Sequence, residues 1–341
     1  MADPIKKSKL IKSGRDRQLE SASPPLSGWQ VLQSLVTAVS TNDKGTGITL
    51  VIGAGIHQVP KWNCPYKHAS ATLLGSWDRL LDAALPGMPY SKNPSLRWEL
   101  GILSTAGLNA AQQKSDSLYK SLCARIAAAE ADILILPTPY EPVRNVLASE
   151  VVQDVISLNF DLIAERLLCP DFDPRACVSN GNANHLTPHY EIHHKRYWHP
   201  HGDRRCRSDG CLGMRQYALK AAVLEQARKR FKAKQVETGF KPKASSNWLE
   251  LMMASNLIFL GTSLDFSEWD IWFALVNRWR NYAREINKRH EPKAFVLTCG
   301  AEHNHLPEQI LRLNATNYDQ GWAWLGGILN QTTNGREPCS P

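Results

Sequence analysis

With 341 residues the chain is long enough for one large domain, or for one domain carrying a sizeable insert. Its 43% hydrophobic and 21% charged residues are the balance of an ordinary globular protein, which excludes a wholly disordered chain. No apolar run reaches the roughly 18 residues of a membrane span and the start lacks the apolar stretch of a secretory signal, so a cytoplasmic location is expected.

The formal net charge of +8 could attract nucleic acid or an acidic partner, but part of it sits in Lys6, Lys7, Lys9, Lys12, Arg15 and Arg17. No aromatics are interleaved with those charges, so direct nucleic-acid recognition is not expected. Residues 1–27 close on Ser-Pro-Pro-Leu-Ser and read as a disordered basic tail, with residues 28–341 forming a single domain. The first helix is expected over 29–39. The apolar run Ile48-Thr49-Leu50-Val51-Ile52 then meets Gly53-Ala54-Gly55, as a buried parallel strand meets a tight turn.

From about 69 to 150 the pattern is mainly helical, with segments at 77–85 and 118–129, and reads as a helical insertion. Strand-like Val155-Ile156-Ser157-Leu158 follows, then Leu257-Ile258-Phe259-Leu260 and Ala294-Phe295-Val296-Leu297, with a helix over 268–286 between the last two. Strands alternating with helices point to an α/β fold, a doubly wound parallel sheet. Ligands bind such sheets beyond the carboxyl ends of the strands, which singles out Gly53-Ala54-Gly55, Asn159-Phe160-Asp161 and Gly261-Thr262-Ser263.

Gly53 and Gly55 lack a Cβ, so the backbone can turn sharply and bring its amides towards a diphosphate at the following helix start; the alternative is a simple tight turn. The dehydrogenase fingerprint would need glycine at position 58, where this chain has Gln58. Asn159 and Asp161 can fix ribose hydroxyls and a water, although Asp161 also suits an Asx cap on the helix near Leu162. Gly261, Thr262 and Ser263 can bind ribose or phosphate, or can serve as a helix N-cap. Trp269, Trp272, Phe273 and Leu275 read as core packing.

Six of the eleven histidines fall between His185 and His201. His199 and His201 lie in a polar, turn-forming stretch where an exposed imidazole can accept a proton, while most of the group reads as surface residues. The eight cysteines are scattered and imply no disulfide framework. Cys206 and Cys211 lack the paired spacing of a zinc site, so no metal is expected.

Taken in order, Gly-Ala-Gly-Ile at 53–56, Asn-Phe-Asp at 159–161, His-Gly at 201–202 and Gly-Thr-Ser-Leu at 261–264 resemble the sirtuin superfamily. The resemblance covers roughly residues 45–330; within the insert it is carried by Trp77-Asp78-Arg79-Leu80-Leu81, which is similar to sirtuin-like defence proteins. It implies a Rossmann-like domain in which Gly53, Ala54, Gly55 and Ile56 line an NAD diphosphate and Gly261, Thr262 and Ser263 meet the adenosine side. Asn159, Asp161 and His201 would surround the nicotinamide ribose as the catalytic group.

Departures from the pattern distinguish the branches of that superfamily. Deacylating sirtuins follow Gly-Ala-Gly-Ile with Ser and a Pro-Asp-Phe-Arg element, where this chain has His57-Gln58-Val59-Pro60-Lys61-Trp62. They also carry a four-cysteine zinc module after His-Gly, where only Cys206 and Cys211 stand here. The chain is therefore more similar to sirtuin-like NAD hydrolases of bacterial antiphage defence.

That likeness implies a hydrolase that takes NAD as substrate and releases nicotinamide and ADP-ribose, with Asn159 positioning ribose and water and His201 as base. It also implies a homo-oligomer, triggered through a HerA-type ATPase, an Argonaute or a phage protein, or through self-assembly. The alternatives are an NAD or ADP-ribose sensor without turnover, and a protein deacylase.

Overall fold

Seven strands form one sheet in the order β3-β4-β2-β1-β5-β6-β7. The computed structural model describes residues 27–41, 47–61, 69–85, 93–135, 138–173, 186–205, 210–238, 245–265, 267–283, 291–299 and 306–331. The expected tail, His185 and Cys206 lie outside them, the tail but for its last residue.

In chain order the elements are α1 (Gly28–Thr41), β1 (Ile48–Ile52), a 3-10 helix (Ala54–Lys61), α2 (Ala69–Leu74), α3 (Trp77–Ala84), α4 (Pro94–Ile135) and α5 (Glu141–Ala148). Then come β2 (Val152–Ser157), α6 (Ile163–Leu168), β3 (Tyr190–Ile192), β4 (Lys195–Trp198), α7 (Met214–Thr238), α8 (Trp248–Ala254) and β5 (Asn256–Leu260). The chain continues through α9 (Trp269–Tyr282), β6 (Ala294–Cys299) and β7 (Ile310–Ala315) to α10 (Tyr318–Asn330).

All pairs are parallel except the β3–β4 hairpin, and β1 stands between β2 and β5. The chain thus winds outward from β1 in both directions, and the parallel strands have the order of a Rossmann-like sheet with its switch point between β1 and β5. Alternation along the central strands divides two cores. Leu50, Ile52, Ile258 and Leu260 face α1, α4, α5 and α10, while Val51, Leu257 and Phe259 face α7, α8 and α9. Each such side chain, taken fully out of water, contributes about 1.5–3 kcal/mol, which is why apolar residues dominate these strands.

Besides β3, β4, α7 and α8, which form where no element is expected, the structure departs from the sequence expectations in three places. The helical stretch between β1 and β2 contains a helix of 42 residues, α4, where the periodicity picks out only 118–129. Its partners change along its length, from α3 and α7 near its start to α2 and α6 near its end, so the buried face shifts from one end to the other. Second, β7 and α10 close the sheet where no element is expected. β7 is an edge strand whose Arg312 and Asn314 interrupt the apolar run, while α10 starts on an Asn317 cap that accepts the Gln320 amide at 2.9 Å. Third, Gly53 leads into a 3-10 helix rather than an α-helix.

Candidate active site

A cleft of about 450 Å³ crosses the carboxyl edge of the sheet at the switch point. The turns after β1 and β5 form its floor, with Gly53, Ala54 and Gly55 on one side and Gly261, Thr262 and Ser263 on the other. Leu158 and Asn159 stand at the β2 end, and Leu297, Tyr318 and Trp322 at the β6 and β7 end. Gln58, Glu268 and the Gly75-Ser76-Trp77 turn between α2 and α3 complete the wall.

The glycines are required by each other. The Gly55 amide donates to the Gly261 carbonyl at 2.6 Å, and a Cβ on Gly55 would stand 2.7 Å from Gly261 Cα and carbonyl oxygen. Gly261 has φ +63°, and its own Cβ would fall 2.4 Å from the Ile56 amide nitrogen. The Gly53 and Ile56 amides are likewise engaged, donating to the Leu260 and Gly53 carbonyls at 2.9 and 3.2 Å. These three amides therefore hold two turns together rather than facing the cleft, and the Ile56 side chain belongs to the core.

The turn after β2 is held at four consecutive residues. The His199 ring donates from Nδ1 to the Asn159 carbonyl at 3.2 Å, and the Arg204 amide donates to the Phe160 carbonyl at 2.8 Å. Asp161 Oδ2 pairs with His57 Nε2 at 3.0 Å, and the Leu162 amide donates to Glu130 Oε1 at 2.8 Å. So fixed, Asn159 is 4% exposed, and among the described residues its side-chain nitrogen has no hydrogen-bond partner. A buried donor left unsatisfied costs about 1–3 kcal/mol, a cost that a ligand group or an ordered water in the cleft would offset.

Asp161 lies outside the cleft wall. Its Oδ1 accepts the Ile163 amide at 3.1 Å, as an Asx cap does, and Oδ2 ties the β2 turn to His57, whose Nδ1 meets the Tyr140 hydroxyl at 3.1 Å. Burial would raise its pKa, but the His57 ring overrides this and holds the carboxyl below the usual range. The residue braces the site rather than facing it.

His201 is not the exposed imidazole that its polar sequence context suggests. It is 4% exposed, with Nε2 directed at Asp270 Oδ2 at 3.2 Å and Nδ1 at the Leu158 carbonyl at 3.4 Å, and it is absent from the cleft wall. Asp270 also takes an ion pair from buried Lys220 at 2.5 Å. Burial opposes its ionisation, but Lys220 and His201 together keep it ionised far below the usual range. His189 and His199 are buried too, and among the described histidines only His193 and His194, in the β3–β4 turn, are exposed as expected.

His199 is fully buried against Glu165, with Nε2 2.8 Å from Oε1. Burial lowers its pKa, but the Glu165 carboxylate more than offsets this, so His199 is pushed up from 6.5 to about 9 and is an imidazolium near neutrality. A pKa raised on folding stabilises the fold fully below the unfolded value, about 6.5, and that stability is lost as pH rises through about 9. Urea unfolding should therefore show stability falling across that window. Glu165→Gln should flatten the dependence and cost about 3–5 kcal/mol at neutral pH; a slope unchanged in the variant would refute the assignment.

Of the residues that sequence reasoning brought to the site, Gly53, Ala54, Gly55, Asn159, Gly261, Thr262 and Ser263 line the cleft, and Ile56, Asp161 and His201 do not. Sequence reasoning missed Glu268, Ser76, Tyr318 and Trp322. Trp77, noted only within the insert, reaches the cleft and packs edge-on against Phe160 at 5.3 Å. Among the described residues no group of three His, Cys, Asp or Glu side chains is disposed to hold a metal, and no helix is long and apolar enough to cross a membrane.

Fold and cleft together define a Rossmann-like α/β protein with an open cleft at its topological switch point. No protein-family model matches the chain, and no curated protein does so.

Proposed function

We propose that the chain binds NAD in this cleft and hydrolyses the bond between nicotinamide and ribose, releasing nicotinamide and ADP-ribose. The observation that carries this reading is the buried, unpartnered Asn159 amide in the wall of a switch-point cleft. The cleft's extent suits a dinucleotide: its β2 end offers Asn159 to a sugar, and Tyr318 and Trp322 at the other end offer aromatic surface to a purine. The ordered sirtuin-like motifs support the same reading, and three of the four contribute residues to the cleft.

The chemistry asks little of an acid. Nicotinamide leaves as a neutral pyridine, so the protein must stabilise an oxocarbenium-like ribose and deliver water to its anomeric carbon. Asn159, held through its backbone by His199, is preorganised to orient both. Turnover without restraint would exhaust a cell's NAD, so activity is held until a trigger acts through assembly or a partner, as suits an antiphage effector.

The engagement of both His201 ring nitrogens favours a second reading, in which NAD or ADP-ribose is held without turnover. Incubation of the full chain with NAD, with and without an acetylated peptide, separates the cases. Nicotinamide with ADP-ribose is the expected outcome under activating conditions. Acetyl-ADP-ribose would indicate deacylation, and binding without products under activating conditions would indicate a sensor.

A further inference from the structure

We infer that the Glu268 carboxylate, rather than His201, takes the proton from the attacking water; this rests on the hydrolase reading above. Among the described residues lining the cleft, Glu268 is the only carboxyl, and no imidazole lines it. The Thr262 hydroxyl donates to Glu268 Oε2 at 3.3 Å and itself accepts the Leu264 amide at 3.1 Å, which fixes the side chain. The Glu268 carbonyl accepts the Ile271 and Trp272 amides at 3.1 Å, so the residue is anchored at the start of α9.

Its position along the cleft follows from a second contact set. Glu268 and Trp77 together form the boundary between the cleft and a smaller adjoining cavity. Trp77 packs on Phe160, the neighbour of Asn159, so Glu268 belongs to the end of the cleft where Asn159 stands.

The electrostatics suit a base that works near neutrality. Burial is the largest influence, followed by the negative charge of Asp270, with the Thr262 bond opposing and Asp265 adding, so the carboxyl is pushed up to about 8. Tyr217 of α7 also faces it, and Cys211 shares the adjoining cavity; Lys220 and His201 stand behind Asp270. In the step, the ribose C1′–N bond breaks and its electron pair leaves on the pyridine nitrogen. The water oxygen bonds to C1′, and its proton passes to Glu268 and from there to solvent.

The test is nicotinamide release by the full chain across pH under activating conditions, beside ADP-ribose binding by calorimetry in buffers of different ionisation enthalpy. Turnover should rise about tenfold per unit up to pH about 8 and then level. Glu268→Gln should remove this rise and lower turnover by about 10²–10⁴-fold, whereas Glu268→Asp keeps the rise at a reduced rate. The rise should persist in His201→Asn. Proton exchange on ADP-ribose binding near pH 8 should be present in the wild type and absent in Glu268→Gln, a readout that needs no turnover. Wild-type turnover in Glu268→Gln, or unchanged proton exchange, overturns the inference and leaves the hydrolase reading standing. A wild type that neither binds ADP-ribose nor releases nicotinamide overturns both.

Discussion

Asn159→Ala is expected to reduce nicotinamide release by about 10²–10³-fold while NAD still binds and the fold loses no stability. The loss of rate follows from removing the one buried donor in the cleft wall that has no protein partner among the described residues. Retained stability follows from the same fact. The folded protein already bears the desolvation of that amide without a hydrogen bond in return, so truncation removes a penalty of about 1–3 kcal/mol and offsets the lost packing. The contacts that position the turn are made by the backbone carbonyl and amide of Asn159 and survive the substitution. A large loss of rate with an unchanged Tm marks a residue kept for function rather than for the fold. Nicotinamide release, calorimetric NAD binding and thermal unfolding of the variant check the three parts. Wild-type turnover would remove the observation on which the hydrolase reading stands.

Gly55→Val is expected to destabilise the whole protein by about 3 kcal/mol or more, rather than to weaken ligand binding selectively. A Cβ at that position meets backbone on both counts, the Cα and the carbonyl oxygen of Gly261 at 2.7 Å, and backbone cannot swing aside as a side chain can. The two turns would have to part, breaking the 2.6 Å bond between the Gly55 amide and the Gly261 carbonyl and disturbing the join between β1 and β5. Gly55→Ala should show most of the same loss, because the clash arises at Cβ itself. Thermal and urea unfolding of the pair measure it. Full stability with binding abolished would instead restore the picture in which Gly55 leaves room for a diphosphate.

Much of the architecture is legible in the sequence because it depends on local pattern. Ile48–Ile52 and Asn256–Leu260 are short apolar runs that end in Gly or small polar residues, and both are central strands whose carboxyl ends form the cleft floor. Asn159 is legible for the same reason, as a polar residue directly beyond a buried strand. An apolar run long enough for a strand but too short for a helix, followed by a turn residue, fixes conformation within a few residues of itself.

What each polar side chain faces was decided only by the tertiary structure. Asp161 meets a His57 that is 104 residues away in sequence, and His201 meets an Asp270 69 residues away, so neither partner is written in the local pattern that placed the residue near the strand ends. Both are drawn from the cleft into buried pairs, because a charge out of water needs a partner wherever packing brings one within reach. Glu268 is the converse. In sequence it marks only the start of a helix, and it becomes the cleft's carboxyl because α9 docks beside the β5 turn. Periodicity and turn chemistry act over a few residues and set the fold, whereas the chemistry of the site depends on which distant side chains the packed sheet brings together.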